Sequence, residues 1–187
     1  IIGIHHFKNK KYELANEYFF KLSKKKTNFV LNDFLISTLL NWSNFHKLDF
    51  QNAKMKLDNM QPKFDNLINI QKVFLNCFYD DNSTEINFKK LIFNKKTDFT
   101  RYNYFLAEYL LSIGKIEEAK IVIKEALTKN PRNLLINQFN FELENNKIKK
   151  IFNCKNQSHV IAEIFYLTAN ALSSQSIYTF SNYYLNL

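Results

Sequence analysis

The chain has 187 residues, enough for one domain with a sizeable core or for a run of small stacked repeats. It carries only two glycines and two prolines, so tight β-hairpin turns and glycine-rich phosphate loops are nearly out of reach, and sandwiches, barrels and nucleotide-binding α/β folds are disfavoured. The formal charge of +9 points toward an anionic partner, nucleic acid or an acidic lipid surface, but the chain is also crowded with Lys, Asn, Ile and Phe, whose codons are rich in A and T, and a skewed genome supplies such lysines without selection for binding.

Cys77 and Cys154 lie far apart, with no CxxC spacing and no nearby histidine pair, so neither a metal site nor a disulfide framework is expected. No apolar run approaches the roughly 18 residues that span a bilayer, and no charged-then-apolar leader opens the chain. The chain starts at Ile1 and stops at Leu187 inside an apolar helical pattern, as an internal fragment of a longer soluble protein would. Its compartment, periplasmic or cytoplasmic, stays open.

Taken in order, the elements are helical. KKYELANEYFFKLSKKK places Ala15 and Phe19 on one face, with Gly3 upstream on a preceding helix. FVLNDFLISTLLNWSNFHK is a helix carrying Thr38 and Trp42, and DFQNAKMKLDNMQP repeats the earlier spacing at Ala53 and Leu57. KFDNLINIQKVFLNCFY and STEINFKKLIF form a further pair without that signature, separated by Asp80, Asp81, Asn82 and Ser83, which read as a turn and helix cap. TDFTRYNYFLAEYLLSIGK gives a helix from about Phe99 to Ile113, ended by Gly114.

In KIEEAKIVIKEALTKNPRN, residues Ile116, Ala119, Ile123, Ala126 and Leu127 share a face. Glu117 and Glu118 suit the positive end of the helix dipole, Asn130 is expected to take the left-handed cap conformation, and Pro131 prevents continuation. The link between these last two helices is so short that they are expected to lie side by side as a helical hairpin. RNLLINQFNFELENN supplies another helix, KIKKIFNCKNQS reads as a polar linker with no face long enough to pack, and HVIAEIFYLTANAL with SQSIYTFSNYYLNL forms a last hairpin. The expected total is about ten helices in four to five hairpins.

Residues 100–133 resemble a tetratricopeptide repeat, whose pattern is W-x2-L-G-x2-Y, then A-x3-F, then P. Leu106, Ala107 and Leu110 fill the leucine, glycine and tyrosine slots, Ala119 and Ile123 the A-x3-F slots, and Pro131 the closing proline, while Asn103 stands where the aromatic belongs. Gly3 with Ala15 and Phe19, then Ala53 with Leu57, are weaker copies, and Ala169 and Leu172 take the glycine and tyrosine slots of the last hairpin. The step from Ala15 to Ala53 is 38 residues and from Ala53 to Ala119 is 66, near one and two periods of about 34.

The expected fold class is therefore all-α: an α-solenoid of antiparallel helical hairpins over 1–187. Its units are 1–27, 28–62, a degenerate 63–97, the best match 98–131, a lone helix plus linker 132–155, and a truncated repeat 156–187. This order of elements is similar to larger bacterial tetratricopeptide proteins, several of which carry export signals.

Little here can carry catalysis. Adjacent His5 and His6 point about 100° apart on a helix and cannot share a metal, and the paired Glu117 and Glu118 diverge likewise. His46 and His159 stand alone, and no GxSxG, HExxH or GxxxxGK[ST] string occurs. No catalytic, cofactor-binding or metal-binding residue is expected, and the chain is read as a non-enzyme.

The resemblance implies a concave groove lined by the first helix of each hairpin, which binds a protein or peptide partner. Its implied contact residues are Arg101, Tyr104 and Glu108, with Glu163, Tyr166 and Asn170 equivalent in the last hairpin and Thr38 and Trp42 earlier. Tetratricopeptide proteins that grip C-terminal carboxylates use Lys and Asn at such positions; here Tyr104 and Glu108 stand instead, so that clamp is not expected. The alternative is a basic surface for nucleic acid or acidic lipid, built on Lys24, Lys25 and Lys26, on Lys89, Lys90, Lys95 and Lys96, and on Lys147, Lys149 and Lys150. Arginine, the better phosphate fork, occurs only at Arg101 and Arg132.

Overall fold

The computed structural model describes residues 1–25, 29–94, 97–149 and 151–187, so Lys26, Lys95, Lys96 and Lys150 lie outside the described residues. Among the described residues there are eleven α-helices, two short 3-10 segments and no strand. The class is all-α, as expected.

The feature that organises the chain is a turn used repeatedly. Helix α1 (Ile2–Lys8) passes through Asn9, Lys10 and Lys11 into α2 (Tyr12–Ser23). Helix α7 (Tyr102–Ser112) passes through Ile113, Gly114 and Lys115 into α8 (Ile116–Lys129), and α10 (Gln157–Ser174) through Gln175, Ser176 and Ile177 into α11 (Tyr178–Leu185). In each link the middle residue is left-handed, at φ +58°, +80° and +63°. The third sits at φ −85°, −86° and −92° with ψ 66°, 64° and 62°. The N–H of that third residue returns five residues, Lys11 to His6, Lys115 to Leu110 and Ile177 to Leu172, each at 2.9 Å.

This is a Schellman cap, which satisfies carbonyls that a helix end otherwise leaves without partners. Two more helices end the same way. In α5 (Asp65–Phe78) and α9 (Leu134–Glu144) the left-handed residues are Asp80 (φ +56°) and Asn146 (φ +51°), closed by Asp81 to Asn76 and Lys147 to Glu142 at 2.9 Å. The left-handed positions 10, 80, 114, 146 and 176 are 70, 34, 32 and 30 apart, each near one or two periods of about 34. The all-α architecture is thus repeat-like in the spacing of its helix ends.

The helices group into two compact units, 1–75 with 156–187, and 76–155, the change falling inside α5. In the first unit α1 packs on α2, α2 on α3 (Val30–Asn44), and α10 on α11; α10 also packs on α3. Its core includes Phe7, Ala15, Phe19, Phe34, Trp42, Phe45, Val160, Ile164 and Ala169, with Ala53 and Leu57 of α4 (Phe50–Asp58). Gly3 is what lets α1 approach α2: a Cβ there would lie 2.7 Å from Phe19 Cε1. Asn16 and Asn44 exchange reciprocal side-chain amide bonds at 3.1 Å, fixing the α2–α3 register. Trp42 donates its indole N–H to Gln71 Oε1 at 2.9 Å, and Gln71 donates onward to Thr38 Oγ1 at 3.4 Å, a buried polar chain joining α3 to α5.

In the second unit α6 (Thr84–Ile92) packs on α7, α7 on α8 and α9, and α8 on α9. Leu106, Ala107, Leu110, Ala119, Ile123 and Ala126 are buried together with Phe88, Phe105, Ile136 and Phe139. Two expectations fail here. Cys77 and Cys154 form a disulfide, with Cα atoms 5.9 Å apart, the usual span of such a bond. Sequence distance hid it, since the two lie 77 residues apart and meet only in the fold. The stretch expected to be an unpacked polar linker also packs: Phe152 sets its ring 4.6 Å from that of Phe105, and Cys154 is buried. One aromatic and one sulfur do this without a helical face.

Candidate apolar cleft

The first unit holds an open cleft of about 420 Å³. Its walls come from three places: Phe29, Val30 and Leu31 at the start of α3, Lys63, Phe64 and Leu67 at the start of α5, and Leu167, Thr168, Ala171, Leu172 and Gln175 along α10. Pro62 occupies the first turn of the 3-10 segment Pro62–Phe64, where its fixed φ fits and its missing N–H costs nothing. That short turn aims Phe64 back onto Phe34, ring stacked on ring at 4.4 Å. On α10 the positions 167, 168, 171, 172 and 175 recur three to four apart, so one face of the helix forms a wall. Thr168 lies on that face with its hydroxyl donating to the Ile164 carbonyl at 2.8 Å, which leaves mainly its methyl for the cleft.

Phe29 is 65% exposed and Val30 42%, a large apolar surface left in water. Lys63 is the one cation among the lining residues, and among the described residues no carboxylate lines the cleft. A second opening, about 360 Å³, runs between α3 and the end of α4 past Ser37, Asn41, Lys56, Asn59 and Gln61, and is mostly polar. Among the described residues no group of three or more His, Cys, Asp or Glu side chains is placed to hold a metal ion. No helix of the described residues is long and apolar enough to cross a membrane.

The residues named from the sequence as groove contacts divide sharply. Trp42 and Thr38 are fully buried and belong to the α3–α5 polar chain. Tyr104 and Glu108 are buried too: the Tyr104 hydroxyl donates to Glu108 Oε1 at 3.1 Å, and its ring meets Phe139 of α9 edge-on at 4.9 Å. Burial, and then the negative charges of Glu108 and Glu142, push the Tyr104 hydroxyl well above its ordinary pKa. Glu163 is 5% exposed. Arg101 is half-buried with its guanidinium over the Phe105 ring at 5.5 Å.

Only Tyr166 and Asn170 of that set are exposed, both on α10. The physical reason is that this face of a first helix meets the next element, as α7 meets α9 through Tyr104, so aromatics there are consumed in packing.

Of the repeat-packing positions, Ala15, Phe19, Ala53, Leu57, Leu106, Ala107, Leu110, Ala119, Ile123, Ala126 and Ala169 are all buried. Gly114 and Pro131 sit exposed in turns, and Leu172 is half-buried in the cleft wall. Sequence reasoning missed Phe29, Val30, Leu67, Leu167 and Ala171. The signal available was the apolar spacing along α10 and the exposed Phe-Val-Leu run that opens α3.

The lysines show a mixed picture. Lys24, Lys25, Lys90, Lys147 and Lys149 are exposed, Lys24 over the Phe20 ring at 4.4 Å, while Lys89 is paired with Glu85 at 2.6 Å. No family model matches the chain, and no curated protein or solved structure matches it.

Proposed function

We propose that the chain is a tetratricopeptide-like α-solenoid of antiparallel hairpins, meeting partners through its first helices, and that it binds an apolar peptide or helix of a partner protein in the cleft between α3, α5 and α10. The observation that carries this reading is the cleft itself: α3, α5 and α10 contribute apolar side chains to one opening, with one cation and, among the described residues, no carboxylate lining it. The recurrent turn at 10, 114 and 176 supports the hairpin architecture, and the buried small residues at repeat spacing support close helix approach.

Tyr166 and Asn170, the exposed members of the sequence-derived groove set, lie on α10 but do not line this cleft, so the reading moves the contacts to Leu167, Ala171 and Leu172 of the same helix. The exposed lysines favour the second reading, a basic surface for nucleic acid or acidic lipid.

A salt titration separates the two. Peptides selected by display against the whole chain are expected to keep their affinity between about 50 and 200 mM salt, because apolar contacts are not counterion-driven, whereas phosphate binding through lysines falls steeply over that range. Ala171→Trp, which fills the cleft, is expected to abolish peptide binding. Retained affinity in that variant contradicts the cleft assignment.

A further inference from the structure

Helix α9 ends in the same turn that elsewhere starts a second helix, at Asn146 and Lys147, yet among the described residues no helix follows before α10. On the hairpin reading proposed above, this unit has no second helix among the described residues. What occupies that stretch is a chain segment held by three attachments: Phe152 against Phe105, the Cys77–Cys154 bond, and Lys155, whose ammonium donates to the Phe78 carbonyl at 2.9 Å and pairs with the Asp80 carboxylate. The disulfide joins residues 77 and 154 of a unit that runs from 76 to 155, so it closes that unit almost end to end.

We infer that the Cys77–Cys154 bond is a structural staple replacing the packing of the absent helix, and that the protein works in an oxidising compartment where this bond is formed and kept. Loop closure limits the unfolded chain most when the closed loop is long, and here it spans nearly the whole unit. Both cysteines are buried, at 4% and 8% exposure, and the cavity beside the bond is about 20 Å³, room for roughly one water and not for a dithiol reductant. Such a shielded bond belongs to stable structural disulfides, which persist outside the reducing cytosol.

Its formation needs a disulfide oxidant, a small-molecule or protein disulfide. The thiolate of one cysteine attacks the oxidant and releases one thiol; the thiolate of the other then displaces the second. The protons end on the two released thiols and the two electrons on the oxidant's sulfurs.

The test has two readouts. Cells making the full-length protein from its own gene are quenched in acid and tagged with a maleimide-polyethylene glycol, with and without prior reduction. The expected result, read by mass spectrometry on the peptides that carry Cys77 and Cys154, is no tag on either before reduction and a tag on both after; both tagged before reduction overturns the inference.

The purified chain is then digested lightly with protease, oxidised and after reduction, with Trp42 fluorescence confirming that the first unit is folded, since Trp42 is the sole tryptophan. Cleavage within 76–155 is expected to be at least tenfold faster in the reduced protein and in a Cys77→Ala/Cys154→Ala variant. Equal rates in the reduced wild type, which needs no mutation, overturn the staple even where the variant fails to fold.

Discussion

Gly3→Ala is the substitution for which propensity and packing give opposite signs. In an exposed helix, alanine is favoured over glycine by about 0.8–1.0 kcal/mol. Here a Cβ would stand 2.7 Å from Phe19 Cε1, 3.0 Å from Tyr18 Cβ and 3.1 Å from Phe19 Cδ1. Phe19 is 1% exposed and its ring packs on Phe7 with centroids 6.2 Å apart, so it has no room to yield. Overpacking of this kind costs about 1–3 kcal/mol. The balance is a net loss of about 1 kcal/mol, which at constant m-value lowers the urea midpoint of the Trp42 fluorescence transition.

The contact between Gly3 and Phe19 fixes the sign of a double-mutant cycle. Phe19→Leu removes the nearest obstructing atom, Cε1, while Tyr18 Cβ stays, so Gly3→Ala in that background loses less, giving a coupling of about 1 kcal/mol. A Gly3→Ala variant that is more stable than wild type, with additive energies in the cycle, refutes the close α1–α2 approach. It also removes the argument that Gly3 and Phe19 act as the glycine and aromatic slots of one hairpin.

Three other substitutions test separate parts of the account. Gly114 is left-handed with no atom within 4 Å of where a Cβ would stand, so Gly114→Ala is penalised by conformation alone, about 1 kcal/mol, while Ser176→Gly at the equivalent turn gains about 0.5–1 kcal/mol; thermal melts of the two should move in opposite directions. Gln157 is 1% exposed and both its amide atoms lack a partner among the described residues, so Gln157→Leu is expected to leave stability unchanged or raise it by about 1–2 kcal/mol in urea denaturation. Tyr104 keeps its proton in the folded state beyond the ordinary value of 10.0, whereas the unfolded chain loses it there. Its contribution is therefore complete below pH 10 and is lost as pH rises toward the folded value, and Tyr104→Phe should flatten the fall in urea midpoint between about pH 10 and 11. Tyr12 and Tyr184, both raised chiefly by burial, leave a residual slope of the same sign.

The helices themselves were legible because their apolar spacing is local: Ala119, Ile123 and Ala126 lie on one turn-to-turn face and are buried together. The turns were much less so. Gly114 announces a left-handed residue, and Asp80 and Asn146 are of types that tolerate one, but Lys10 and Ser176 adopt the same geometry held only by the hydrogen bonds that close each helix end, while Asn130, expected to be left-handed, sits at φ −135°. The disulfide was invisible because pairing depends on where a chain returns, and Cys77 and Cys154, 77 residues apart in sequence, are neighbours only in the folded unit.

At the candidate site, the preference for aromatic contact residues misdirected the reading. Trp42 and Tyr104 are the rigid aromatics a binding surface favours, but each also carries a polar group that found a buried partner, Gln71 and Glu108. The residues that line the cleft are the plainer, exposed Val30 and the half-buried Leu67 and Leu167, which have no such handle and become a wall only when three helices meet.

Hydrogen exchange of the full chain with and without a display-selected peptide tests the central claim most directly. The account predicts added protection at the start of α3, around Lys63–Leu67, and along 167–175 of α10, lost in Ala171→Trp. Protection confined to α8, or to the lysine-bearing segments near 24–25, 89–90 and 147–149, contradicts it.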